Sequence, residues 1–396
     1  MNSVEAGASK ACSAAIAELL GSAWRDEEAL LESALLLWST RGVDPATGVF
    51  HERLGLDGIA PVEPRRVRVQ VRQIYCYALA ARMGWGVNTR GTMRTGIAYL
   101  LAHCLGDKGF LLHTAKPGGG TIDAGPDLYD QAFLLLALSE VFRATGEAVH
   151  VKRAKTLLAA LQSDFANPAG GFRDRPGRET PLRANPHMHL LEAALAWIEA
   201  DGSECWKALA SDMGRLCTAR FTDSSTGALL EYFAADWTPL RSGDHAIVEP
   251  GHLFEWCWLL LRLENALQPG VAPMAKRFYE IAAQHGICAT RHVAINSLNP
   301  DLTWRDSGAR LWPQTEWLKA SLGMAEMDPG GADIHLAQAL AAHQTLLRYR
   351  DGLHPGLWRD KLLPDGQFVD EPAPASTFYH LACAAAELRR AAEIWS

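Results

Sequence analysis

A polar or aromatic side chain returns about every 60 residues, each time where a loop enters the first turns of an apolar helix. The series runs Arg72, Tyr129, His189, His252, Trp312 and His380. That interval suits one helical hairpin plus a long loop. A repeat serving packing alone would return the same apolar residue each time. This one returns three histidines, an arginine and two aromatics, as expected for one pocket assembled from six units. Each hairpin needs neighbours on both sides to cover its apolar faces, so the repeat argues for one closed domain over residues 1–396.

Apolar periodicity predicts helices over 10–38, 67–84, 91–105, 127–145, 149–165, 187–200, 203–218, 251–266, 271–286, 313–326, 332–348 and 376–394. Pro250-Gly251 precedes one of them, and Ser376-Thr377 can cap the last. The connection between the fourth and fifth is short, as antiparallel neighbours require. The joints before the even-numbered helices are long, and most share a glycine followed by strand-forming residues: GVFHERL, GFLLHT, GGFRDR, GALLEYF and GLWRDKL. Glycine, strand formers and then a polar turn such as Pro364-Asp365-Gly366 read as short β-hairpins. The expected fold is all-α, an (α/α)6 barrel or toroid of six helical hairpins, with the β-hairpins gathered at one mouth. An open solenoid is the alternative, but it needs polar capping repeats, and the last helix, FYHLACAAAELRRAAEIW, is as apolar as the middle ones.

Composition narrows the function classes. A net charge of -7 gives no footing for a nucleic-acid or membrane-surface role. No apolar run reaches the length of a membrane span, and the first residues lack the pattern of a secretory signal. The eight cysteines are scattered and form no CxxC pair, which fits buried thiols in a reducing cytoplasm. A cytoplasmic monomer or homodimer is expected. No phosphate loop or dinucleotide glycine fingerprint occurs.

The marked residues carry chemistry. In NPHMHLLEAALAW, His189 and Glu192 share a helix face three residues apart, and EPGHLFEW repeats the spacing with His252 and Glu255. A carboxylate one turn from an imidazole can hold its tautomer and raise its basicity, as proton transfer requires. The bland reading is a pair of half-buried histidines satisfied by helix neighbours. A metal reading is also open, although di-metal helical bundles use Glu-x-x-His, the reverse order. Arg72 lies one turn before Tyr75 among apolar positions, where a guanidinium could hold a developing oxyanion. Arg65 and Arg66 read more simply as a solvated basic face. Trp304 and Trp312 flank a polar loop and Trp358 follows a turn glycine, placements that suit either core packing or stacking on a sugar ring.

The segments RVQVRQIY, LYDQAF, NPHMHLLEA, EPGHLFEW, LWPQTEWLKA and FYHLA resemble the N-acylglucosamine 2-epimerase superfamily, in matching order from about residue 45 to 385. The resemblance implies an (α/α)6 barrel and cofactor-independent interconversion of a reducing sugar, with no metal. It places the family's essential arginine on Arg72 and its active-site histidines on His189, His252 and His380. It places the accompanying glutamates on Glu192 and Glu255, and Gln314 and Glu316 within its tryptophan motif. Gln131 departs from the family's Tyr-Asp-His pattern, which bears on ligand contacts. The tail EPAPASTFYH is closer to mannose isomerase-like members.

The expected reaction is aldose–ketose isomerisation of the D-mannose/D-fructose kind. His380 would transfer the C2/C1 proton and His252 would serve ring opening. Arg72 would hold the enediolate, and His189 would bind or shuttle a proton. The substrate contacts would come from Tyr129, Gln131, Glu192, Glu255, Trp304, Trp312, Gln314 and Glu316. Alternatives are 2-epimerisation of an N-acylhexosamine or cellobiose, and a mannose 6-phosphate substrate received by Arg65, Arg66 and Arg68. From other classes come an (α/α)6 glycoside hydrolase, using Glu192 or Glu255 as acid, and a non-catalytic helical-hairpin scaffold.

Overall fold

The computed structural model describes residues 3–116, 120–178 and 181–396. Among them are twelve α-helices: α1 (Ser3–Thr40), α2 (Val67–Met83), α3 (Thr89–His103), α4 (Leu128–Thr145), α5 (Val149–Asp164) and α6 (Ala184–Ala200), then α7 (Glu204–Leu216), α8 (Pro250–Leu267), α9 (Ala272–His285), α10 (Trp312–Met327), α11 (Ala332–Arg348) and α12 (Ala375–Trp395). Each corresponds to one of the helices expected from periodicity. None is long and apolar enough to cross a membrane.

The even-numbered helices pack in chain order, and α12 packs back on α2, which closes an inner ring. The odd-numbered helices lie outside, with α3 against α2, α5 against α4 and so on round to α1 against α12. Burial follows this layout. In α8 every residue from Pro250 to Leu261 is buried, as expected of a helix surrounded by protein. Outer α9 buries only one stripe, including Ala275, Phe278 and Ala282. The result is the (α/α)6 barrel.

Two helix starts bear on the site. α6 begins at Ala184, because Pro186 is accommodated in the first turn, where no intrahelical N–H is needed. Asn185 is thereby carried on the helix. α12 begins at Ala375 without a side-chain cap. Thr377 donates instead to Asp360 Oδ1 at 2.9 Å, which ties the helix to the preceding loop.

The long loops carry the expected short hairpins, as where Leu362 bridges Phe368 across the Pro364-Asp365-Gly366 turn, and they also pair with one another. Among the described residues other local pairings are longer, such as Thr114–Ala115 with Thr121–Asp123. The other strand pairs join different loops: Arg65–Arg66 with Thr114–Ala115, Leu182–Arg183 with Tyr232–Phe233, and Ala309–Arg310 with Lys361–Leu362. Arg53–Leu54 pairs with Ala373–Pro374, linking the first long loop to the last. The shared glycines sit at tight turns just before these strands. Gly48, Gly109 and Gly227, for example, all have φ between 74° and 77°, a region that favours glycine. The strands thus form a collar at the mouth toward which the inner helices present their N-termini.

A recurring glutamine fastens the collar to the ring. Gln70 accepts from Phe50 N and donates to Phe50 O, at 2.8 and 2.7 Å. Gln131 does the same to Leu111, at 2.8 and 3.2 Å, and Gln314 to Ala294, at 2.8 Å both ways. Gln131 and Gln314 were expected to contact substrate, and their geometry corrects that: both are fully buried, with their amides committed to loop backbone. Gln314→Leu should therefore orphan the Ala294 N–H and C=O, at about 1–3 kcal/mol for each buried group. Urea unfolding should show a loss of that order with KM unchanged. A raised KM at an unaltered unfolding midpoint would return Gln314 to the ligand.

Candidate active site

Three imidazoles from three inner helices line one cavity of about 250 Å³ at the collar end of the ring. Each has Nδ1 against a carboxylate. His189 meets Glu192 Oε2 at 3.0 Å, His252 meets Glu231 Oε1 at 2.9 Å, and His380 meets Glu316 Oε1 at 2.8 Å. An ionised carboxylate only accepts, so each Nδ1 carries its proton and each Nε2 is left for the cavity.

Their surroundings push the three apart in acidity. Burial lowers His189 to about 4, against the opposing pull of Glu192. His380 lies well below its usual range because of burial, reinforced by Arg72 and Lys319. His252 goes the other way. Burial would lower it, but Glu231 and Glu249 together outweigh that and raise it to about 10. At neutral pH the site therefore holds an imidazolium beside neutral imidazoles, an acid and a base in one cavity. Asn185 Nδ2 lies 3.1 Å from His252 Nε2, while Asn185 Oδ1 is buried without a partner. An imidazolium offers only N–H donors there, so the amide turned by 180° satisfies both groups.

Arg72 supplies the positive charge. Its Nη1 donates to Ser376 O at 3.0 Å and its Nη2 to the Tyr129 hydroxyl. The guanidinium lies 4.2 Å from the centre of the Phe133 ring and 5.2 Å from that of Tyr379. Among the described residues no carboxylate forms an ion pair with it, whereas Arg68 nearby is neutralised by Asp130 at 2.9 Å. Trp312 packs between His252 and His380, with ring centres 5.1 and 5.6 Å away.

Comparison with known proteins matches this arrangement to a family. Residues 48–384 match the family model described as N-acylglucosamine 2-epimerase. The chain belongs to the N-acylglucosamine 2-epimerase family. Its members are carbohydrate isomerases and epimerases, so the protein is an enzyme of that type. A mannose-6-phosphate isomerase from Rhizobium meliloti (strain 1021) is 43% identical over 91% of this chain and 94% of the relative. A D-mannose isomerase from Pseudomonas cannabina pv. alisalensis is 27% identical over 49% of this chain and 50% of its own length. A crystal structure of D-mannose isomerase superposes with a TM-score of 0.85 at 20% identity, covering 92% of this chain and 97% of that one. Family membership sets aside the glycoside hydrolase and scaffold readings.

Within this N-acylglucosamine 2-epimerase family chain, Arg72, Tyr129, His189, His252, Glu255, Trp312 and His380 come together at the cavity. Other expected contacts do not. Glu192 and Glu316 are buried behind their histidines, where they orient rings rather than meet a ligand. Glu255 does not pair with His252; its nearest imidazole nitrogen is His189 Nδ1, at 3.9 Å. Trp304 is half exposed on the collar and donates to His285 O at 2.9 Å. Trp358 is a core residue stacked on Trp38. Arg66 is ion-paired to Glu52, and it lines the cavity with Arg68 and Arg310.

Sequence reasoning missed Glu231, Asn185 and Glu249. Only Glu249 had a local signal, three residues before His252. Two overlapping trios, His189–Glu192–Glu255 and Glu255–Glu316–His380, bring potential metal donors within 4.8 Å of one another. Lys319, 2.7 Å from Glu316, places a fixed positive charge beside both, which opposes a divalent cation there.

Proposed function

We propose that the protein is an aldose–ketose isomerase that takes D-mannose to D-fructose through ring opening and a cis-enediolate. One observation carries the reading: an unneutralised guanidinium and three carboxylate-backed imidazoles of opposed acidity share one small cavity. His252, as imidazolium, protonates the ring oxygen, takes up the anomeric hydroxyl proton as the ring C–O bond breaks, and so is charged again to polarise the open-chain carbonyl. His380, neutral, removes the C2 proton and, after exchange with solvent, returns a proton to C1. Arg72 holds the oxygens on which negative charge gathers. His189 hydrogen-bonds the chain and can relay a proton. Trp312 stacks beside the sugar.

A second reading, the 6-phosphate of the same hexose, is favoured by the name of the 43%-identical relative and by Arg66, Arg68 and Arg310 around the cavity. The test incubates the protein with mannose, mannose 6-phosphate, cellobiose and N-acetylmannosamine in heavy water. Fructose carrying deuterium at C1, formed from mannose in preference to its phosphate, is the expected result. Preference for the phosphate moves the assignment to the second reading. Deuterium confined to C2 of an epimer makes the enzyme an epimerase, and no turnover of any sugar ends the proposal.

A further inference from the structure

Beneath the cavity lies a lysine that the mechanism above does not use. Lys319, on α10, is fully buried. Its ammonium is 2.7 Å from Glu316 Oε2, and the other oxygen of that carboxylate holds His380 Nδ1 at 2.8 Å. The ammonium also sits 4.0 Å from the centre of the Trp258 ring on α8, which fixes its position from below. Lys319, Glu316 and His380 therefore form one line running from the floor into the cavity.

We infer that Lys319 is a positioning residue whose fixed charge keeps Glu316 ionised and His380 neutral, so that His380 enters the reaction as the base. The molecule contains its own comparison. His252 faces Glu231 and Glu249, neither of which pairs with a lysine among the described residues, and it is held as imidazolium. A buried carboxylate draws a proton toward its imidazole against the cost of burial, and a second cation on that carboxylate weakens the pull. The other groups facing His380 do not replace that cation. Arg72 from α2 adds positive charge on the cavity side, and His189 from α6 is neutral. Glu192 from α6 is already paired with His189 and Tyr379. Glu255 from α8 is pushed well up by burial and by Glu316, and so carries little charge. Tyr379 and Cys383 on α12 are both raised by burial and stay neutral.

The inference rests on the isomerase reading for its kinetic consequence but not for its physical one, and the test separates the two. Histidine ring resonances of ¹⁵N-labelled protein are titrated, with the His380 signal identified by its loss in His380→Asn. In Lys319→Met the His380 titration should rise by about one to three pH units, and the acid limb of kcat/KM should move up with it. Lys319→Arg should hold both near wild type. Lys319→Gln, which keeps a hydrogen bond but no charge, should shift as Met does. Unchanged His380 titration in folded Lys319→Met or Lys319→Gln overturns the inference. If neither variant folds, the wild-type ring decides: two inequivalent nitrogens at neutral pH support it, and an imidazolium overturns it. A shifted titration in a protein that turns over no sugar would keep the inference and remove the isomerase.

Discussion

His380→Asn is expected to lower kcat for hexose isomerisation by about a hundredfold to ten-thousandfold, the usual worth of a positioned proton-transfer group. The thermal midpoint should stay close to wild type. Asparagine can still donate to Glu316, so the buried carboxylate is not orphaned, and only the cavity-facing nitrogen is lost. The expectation follows from where that nitrogen lies. His380 reaches the cavity from α12, with Trp312 packed against it, and its depressed basicity leaves it unprotonated at the pH where His252 is charged. Exchange of the C2 proton with heavy water should fall in step with turnover. Near-normal exchange in a folded variant would pass the base role to His189, whose ring is also neutral.

How much of this was readable beforehand depended on how local the cause was. The helices were legible because twelve apolar stripes of 13 or more residues leave little ambiguity. α6 starts three residues before the expected 187, with Pro186 in its first turn, where a proline is harmless. Closure of the ring was legible from an apolar last helix and hairpins at one mouth from the glycine-led loops, but the pairing between loops was not. The collar strands are two or three residues long and pair across loops, as Arg53 does with Pro374, and no local pattern encodes that.

The same distinction runs through the site. His189 and Glu192 are one helical turn apart, so their contact could be foreseen. Identical spacing misled at His252, whose partner Glu231 arrives from the collar 21 residues earlier. Gln131 and Gln314 stood inside motif-like segments, yet each clamps a backbone position 20 residues upstream, as Gln70 also does. That spacing was present in the sequence and would have marked them as fasteners. Lys319 carried a signal too: the one lysine of α10 follows Trp317 and Leu318 on an inner helix, so it must find an anion inside the protein, and Glu316 stands one turn before it.

Arg72→Met should cost about 3–4 kcal/mol of transition-state stabilisation, a hundredfold or greater fall in kcat, with a much smaller change in KM. The sugar is neutral when it binds, and charge appears on its oxygens only as the C2 proton leaves. An interaction with that charge lowers the barrier without tightening the ground state to the same degree. Arg72 is built for late-arriving charge. Ser376 and Tyr129 fix its terminal nitrogens, Phe133 and Tyr379 flank its plane, and its buried Nε has no protein partner. Arg68 already has Asp130, so it has less attraction left to give an enediolate. Arg72→Lys keeps the charge but loses the planar fork that can span two neighbouring oxygens, and should recover only part of the rate. A rise in KM at wild-type kcat in Arg72→Met would mean that the guanidinium binds a charge the substrate already carries. In that case the 6-phosphate, rather than the enediolate, would be the anion it holds.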